Sequence, residues 1–117
     1  MNLIEELTAE TREFARRRDW LSHHTPKNLA MAIAGEAGEL ASEFRWLSIE
    51  GSERSQLTAE QLRDIRLEMA DVLIFLLRLS DVLDVDLASA VREKLALNED
   101  RFPAVVEPQD VAGAPIR

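Results

Sequence analysis

One stretch restricts the folds open to this chain more than any other: Leu67–Leu79, LEMADVLIFLLRL. Its apolar residues, Leu67, Met69, Ala70, Val72, Leu73, Ile74, Leu76 and Leu77, leave only the line Glu68–Asp71–Phe75 free of them. The spacing is helical, and a helix apolar on nearly every side belongs in an interior. Carboxylates on such a helix need a charge partner, because burying them unpaired costs several kcal/mol. A second stretch, Ala30–Trp46, AMAIAGEAGELASEFRW, repeats the pattern with Glu36 and Glu39. Residues three apart share a helix face, so each pair can aim at one point. The ordinary fate of helical carboxylates is a solvated face. Here the apolar surroundings weigh against it, and four acids outnumber the nearby bases. The expectation is that the pairs face each other and hold divalent metal.

The donor set narrows the metal. There are no cysteines, so thiolate sites and disulfides are excluded. The Glu-x-x-His spacing of four-helix di-iron proteins is missing, and the two histidines, His23 and His24, fall in a connection. Oxygen-only sites suit hard cations, Mg²⁺ first and Mn²⁺ second. Mg²⁺ usually binds together with substrate phosphates, which points to a phosphorylated small molecule such as a nucleotide.

The remaining chain reads as helices. Leu3–Asp19 is amphipathic, with Leu3, Leu7 and Phe14 on one face and Arg16–Arg18 at its end. Thr25 and Pro26 open a second helix running to about Trp46. Gly35 and Gly38 lie inside it, each costing up to about 1 kcal/mol relative to alanine. Either close helix packing or a ligand near the backbone accounts for them. Leu47–Thr58 is a loop, and Thr58-x-x-Gln61 is a capping box that starts a third helix, about Ala59–Leu83. Asp86 caps a fourth, Leu87–Phe102, stopped by Pro103. No strand alternation or repeat occurs. The expected fold is all-α, four helices over residues 1–103, with an extended or disordered tail at 104–117.

At 117 residues a single domain struggles to cover its apolar surface, so a homo-oligomer, dimer or tetramer, is expected to complete the bundle. The net charge of −8 disfavours nucleic acid, whose phosphates call for clustered Lys and Arg. No apolar run is long enough to span a bilayer, and MNLIEELTAE lacks the pattern of a signal peptide. A cytoplasmic protein with no membrane partner is the expectation.

Several residues suit a nucleotide. Lys94, Asn98 and Arg101 share a face of the fourth helix and suit phosphate oxygens and ribose; a solvated face explains the spacing equally well. Trp20 and Trp46, each at the end of an element, offer indoles on which a base can stack, although a core role is commoner for tryptophan. His24 and Asn28 can hydrogen-bond a base edge, or make local structural bonds instead.

Two strings carry a resemblance to a known family: Gly35-Glu-Ala-Gly-Glu-Leu-Ala-Ser-Glu-Phe-Arg-Trp46 and Glu68-Met-Ala-Asp-Val-Leu-Ile-Phe-Leu76. They resemble the MazG-like all-α nucleoside triphosphate pyrophosphohydrolases, whose metal signature is E-x-x-E…E-x-x-D. Arg18-Asp19-Trp20, His24-Thr-Pro-Lys-Asn28, Glu43-Phe-Arg-Trp46, Val85-Asp-Leu87 and Lys94-x-x-x-Asn98-x-x-Arg-Phe-Pro103 are most similar to the dCTP pyrophosphatase branch. The likeness covers roughly Leu7–Pro103.

The resemblance implies cleavage of a nucleoside triphosphate between its α and β phosphates, giving a monophosphate and pyrophosphate. It implies Mg²⁺ on Glu36, Glu39, Glu68 and Asp71, with Glu39 (and Glu36) acting on the attacking water. Trp20, His24, Asn28, Trp46 and Phe75 would line the base pocket, and Lys94, Asn98 and Arg101 would hold phosphates or sugar. Phe75 departs from the tyrosine of the eukaryotic dCTP pyrophosphatases: phenyl packs but donates no hydrogen bond. A modified pyrimidine nucleotide or dCTP is the favoured substrate, as in clearing the nucleotide pool. The alternatives are a broader or different base range, a nucleotide-binding module without turnover, or a helical oligomerisation module with no ligand.

Overall fold

The computed structural model describes residues 1–105. Among them are four α-helices and no strand: α1 (Leu3–Arg17), α2 (Pro26–Ser42), α3 (Ala59–Val82) and α4 (Leu87–Arg101). Short 3₁₀ turns occupy Leu21–His23, Glu50–Ser52 and Arg54–Gln56. The chain divides into a unit Met1–Val85 and a second beginning at Asp86. Most of the expected tail lies outside the described residues.

Each helix starts where its side chains can satisfy the orphan backbone N–H groups. Asn2, Thr25, Thr58 and Asp86 accept from the backbone N–H of Glu5, Asn28, Gln61 and Ser89 respectively. At Thr58 the box closes in both directions, since Gln61 Oε1 accepts from the Thr58 N–H.

Two helix ends differ from the sequence expectation. α1 stops at Arg17, not Asp19, because Asp19 turns into the left-handed region with φ 56°. The N–H groups of Trp20 and Asp19 then donate back to the Ala15 and Arg16 carbonyls, a Schellman closure. Glycine is the usual signal for this closure, so an aspartate conceals it. The same closure ends α3 at Asp84, φ 54°, where Val85 N–H donates to the Ser80 carbonyl. α2 ends at Ser42 rather than Trp46. From Glu43 to Leu47 the N–H groups of Phe44, Arg45 and Leu47 reach back three residues, so the chain tightens into turns.

In the first unit α3 packs against α2 and α1. The buried apolar side chains are Ala15 from α1, Leu29 from α2, and Ile65 and Leu77 from α3. The expectation that α3 is interior on every side holds for only part of its circumference. Leu67, Met69, Leu73, Ile74 and Leu76 stay exposed, because two helices cannot cover all of a third. Exposed apolar residues scattered singly are ordinary; this set shares one helix.

Candidate active site

The α2–α3 pairing brings the two acidic pairs to one place. Glu36, Glu68 and Asp71 each offer a carboxylate oxygen, and these oxygens lie within 4.8 Å of one another. Glu39 is exposed on α2 and stands outside that trio. Glu68 is the innermost: its Oε2 is shut off from solvent and has no hydrogen-bond partner among the described residues. Burial, then the charges of Glu36, Asp71, Glu39 and Glu43, push its carboxyl above the usual range. A buried acceptor facing only other acceptors lacks a cation. The oxygen-only donor set and the orphaned Glu68 atom fit a hard divalent ion.

Gly35 and Gly38 flank these acids on α2. A Cβ built on either meets nothing within 4 Å, so close packing inside the chain does not account for them.

Next to the acids lies a cavity of about 250 Å³. α1 lines it with Thr11, Phe14 and Ala15, and the connection after α1 adds Trp20 and His24. α3 supplies Asp71, Ile74, Phe75 and Arg78, so Asp71 belongs both to the acidic trio and to the cavity wall. The Schellman closure of α1 explains Trp20. Hydrophobic contact between the residue beyond the cap and the last helical turn accompanies such closures, and Trp20 sits edge-on to Phe14 at 5.9 Å. His24 follows, 6.4 Å from Trp20 and 6.5 Å from Phe75 between ring centres. Whole-ligand pockets run from about 300 Å³ upward, so this volume suits one aromatic ring system rather than an entire nucleotide.

Arg78 closes the inner end. It is 3% exposed, which a cation tolerates only when fully paired. Its Nη1 donates to Asp81 Oδ2 at 2.6 Å and its Nε to His24 Nδ1 at 3.1 Å. Arg12 on α1 grips Asp81 from the other side, donating at 2.8 and 2.6 Å. The hydrogen bond from Arg12, then that from Arg78, hold the Asp81 carboxyl below the usual range. Burial, followed by the Arg78 charge and that of His23, lowers His24.

A crystal structure of a pyrophosphatase from Archaeoglobus fulgidus matches this fold with a TM-score of 0.80 and 39% sequence identity, over 89% of this chain and 95% of that one. The dCTP pyrophosphatase 1 of Mus musculus is 37% identical over 100 residues, and that of Homo sapiens 37% over 101. The chain belongs to the MazG-like dCTP pyrophosphatase family. No family model matches it. It spans 59% of the length of the mouse and human relatives, while 86% of its own length aligns with them.

Against the sequence reading of this family member, the structure gathers Glu36, Glu68 and Asp71 in one cluster and Trp20, His24 and Phe75 in one cavity. Three residues of the first unit fall outside both. Asn28 donates its Nδ2 to the His23 carbonyl at 3.0 Å, securing the turn before α2. Trp46 is 86% exposed in the turns after α2, with the Arg45 guanidinium 5.1 Å from its ring centre. Glu39 is exposed and belongs to neither the trio nor the cavity lining. Lys94, Asn98 and Arg101 lie on α4, in the second unit.

Phe14, Thr11 and Arg78 line the cavity without having been singled out. Phe14 reads as ordinary core on α1. Arg78 did carry a signal: it is the one cation in the apolar stretch Leu67–Leu79, with Asp81 one turn on.

Proposed function

We propose that this chain hydrolyses a nucleoside triphosphate, dCTP or a modified pyrimidine deoxynucleotide above others, to the monophosphate and pyrophosphate with Mg²⁺. The observation that carries the reading is Asp71, which the acidic cluster and the aromatic cavity share. A metal held by its carboxylate stands beside a ring seated in the cavity, the relation that a phosphate chain and its base require.

In this reading Glu36, Glu68 and Asp71 hold the ion. Bound there, Mg²⁺ or Mn²⁺ neutralises phosphate charge and acidifies water. Glu39, exposed and outside the trio, is assigned to orient the attacking water and take its proton on the strength of the sequence resemblance. Phe14, Trp20 and Phe75 enclose the base, excluding water from its faces. Lys94, Asn98 and Arg101 are assigned to phosphates or sugar on the strength of the sequence resemblance. The exposed apolar side chains of α3 support assembly of copies into a dimer or tetramer, with the exposed Trp46 open to a substrate or a neighbouring copy. A role in clearing unwanted nucleotides follows from the same substrate class.

A panel of ribo-, deoxy- and modified triphosphates, incubated with Mg²⁺ and assayed for pyrophosphate, tests the reading. Pyrimidine deoxynucleotides should lead. Equal turnover of all bases would favour a broad-range enzyme, and tight binding without turnover a regulatory module. Asp71→Ala should abolish pyrophosphate release with helical content intact; retained activity would sink the site assignment.

A further inference from the structure

A guanidinium can only donate hydrogen bonds and stays protonated at any pH a protein survives. Whichever imidazole nitrogen faces Arg78 Nε must therefore carry a lone pair. Nδ1 faces it, at 3.1 Å. The ring proton of His24 then resides on Nε2, and the imidazolium form is excluded while the contact lasts. Arg78 itself cannot swing away, since it is buried and its Nη1 is tied to Asp81. Asp81 is in turn clamped by Nε and Nη2 of Arg12. The chain Arg12–Asp81–Arg78–His24 thus runs from α1 through α3 to the connection before α2. It ends on a ring that lines the cavity. No hydrogen bond occupies His24 Nε2 among the described residues.

We propose that Arg78 is a positioning residue for substrate selection: it fixes His24 as the Nε2–H tautomer, so that the cavity offers a neutral donor to a nucleobase edge bearing a lone-pair acceptor. Phe75 packs in the same cavity and contributes no polar group, so it cannot take over that recognition from His24. A base presenting only donors toward His24 is rejected. The pairing resembles the orienting of an imidazole by a second residue at metal and catalytic sites, where the partner on one nitrogen decides what the other can do. Here the partner is a cation, so the ring is held neutral rather than poised to charge. This proposal rests on the reading of the cavity as a base site.

The full chain, labelled with ¹⁵N-histidine, tests it by long-range ¹H–¹⁵N correlation, with His23→Gln assigning the two rings. At neutral pH His24 should show a lone-pair Nδ1 and a protonated Nε2, a single tautomer. Adding dCMP with Mg²⁺ should move the Nε2–H signal. Arg78→Met should return His24 to a mixture of tautomers and raise KM for the preferred pyrimidine triphosphate about tenfold, with kcat less affected, as loss of one oriented hydrogen bond predicts. Arg78→Lys, which keeps a donor, should restore part of both. The proposal is overturned by an Nδ1–H form or a mixture in the wild type, by an Nε2–H signal indifferent to dCMP, or by a raised KM in Arg78→Met with the tautomer unchanged. If Arg78→Met does not fold, the wild-type spectrum and Arg78→Lys decide. Pyrophosphate release with an indifferent His24 refutes this proposal alone; no release from any triphosphate refutes the proposed function, while the tautomer is still read directly.

Discussion

Asp81→Ala should be among the most damaging single changes outside the apolar core. The substitution strips Arg78, 3% exposed, of its only carboxylate among the described residues, held at 2.6 Å. His24 Nδ1 remains as an acceptor, but a neutral imidazole does not cancel a charge. Removing one member of a buried pair costs about 3–5 kcal/mol. Asp81 keeps 17% of its side-chain exposure, so some water reaches the gap, and the lower end, about 3 kcal/mol, is the expectation. For a unit of this size that lowers the melting temperature by about 12–24 °C. Arg12→Ala breaks the outer pair, but Arg12 is half exposed, and such pairs are worth about 1 kcal/mol or less. Replacing Arg78 and Asp81 together by Met and Leu should recover most of the loss, because no unpaired charge remains. Urea unfolding followed by helical circular dichroism reads all four proteins. The reasoning is refuted if Asp81→Ala costs no more than Arg12→Ala, or if the double variant is worse than the single. Acid provides a second reading. The folded Asp81 carboxyl lies below its unfolded value, so the unfolded chain takes up the proton first. Its contribution is present above about pH 4 and is lost as pH falls through the lower folded value, and the variant should lack that loss.

Mg²⁺ should raise the unfolding temperature of the wild type, by about 2.7 kcal/mol of added stability at a hundred times the dissociation constant, and Glu68→Gln should abolish that shift while making the metal-free protein harder to melt. Gly35→Ala and Gly38→Ala should each stabilise the chain by about 0.5–1 kcal/mol in thermal unfolding, since a Cβ there meets open space. If either also lowers activity or disperses an assembly, a ligand or a second copy approaches that backbone. Asp84→Gly should stabilise by about 1 kcal/mol by relieving the left-handed residue that ends α3; a loss in chemical denaturation would contradict the strain.

The helices were legible because their signals are local. Thr25, Thr58 and Asp86 announce themselves by residue type and spacing, and the structure puts each at its cap. The acidic pairs were legible for a related reason: helical spacing alone puts Glu68 and Asp71 on one face, and an apolar helix makes them conspicuous. What stayed hidden depends on tertiary placement. Phe14 looks like any core residue of an amphipathic helix until the turn at Asp19 folds Trp20 back on it. Arg78 is conspicuous in the apolar stretch, but only its burial shows that it depends on Asp81. The exposed apolar face of α3 has the opposite cause. Periodicity says that a surface wants cover, but not whether this chain or another copy supplies it.

The most direct test of the account is phosphorus NMR of dCTP incubated with the wild-type chain and Mg²⁺. The expected products are dCMP and pyrophosphate in equal amounts, with neither formed by Asp71→Ala. Accumulation of dCDP with orthophosphate, or undiminished turnover in Asp71→Ala, would contradict it.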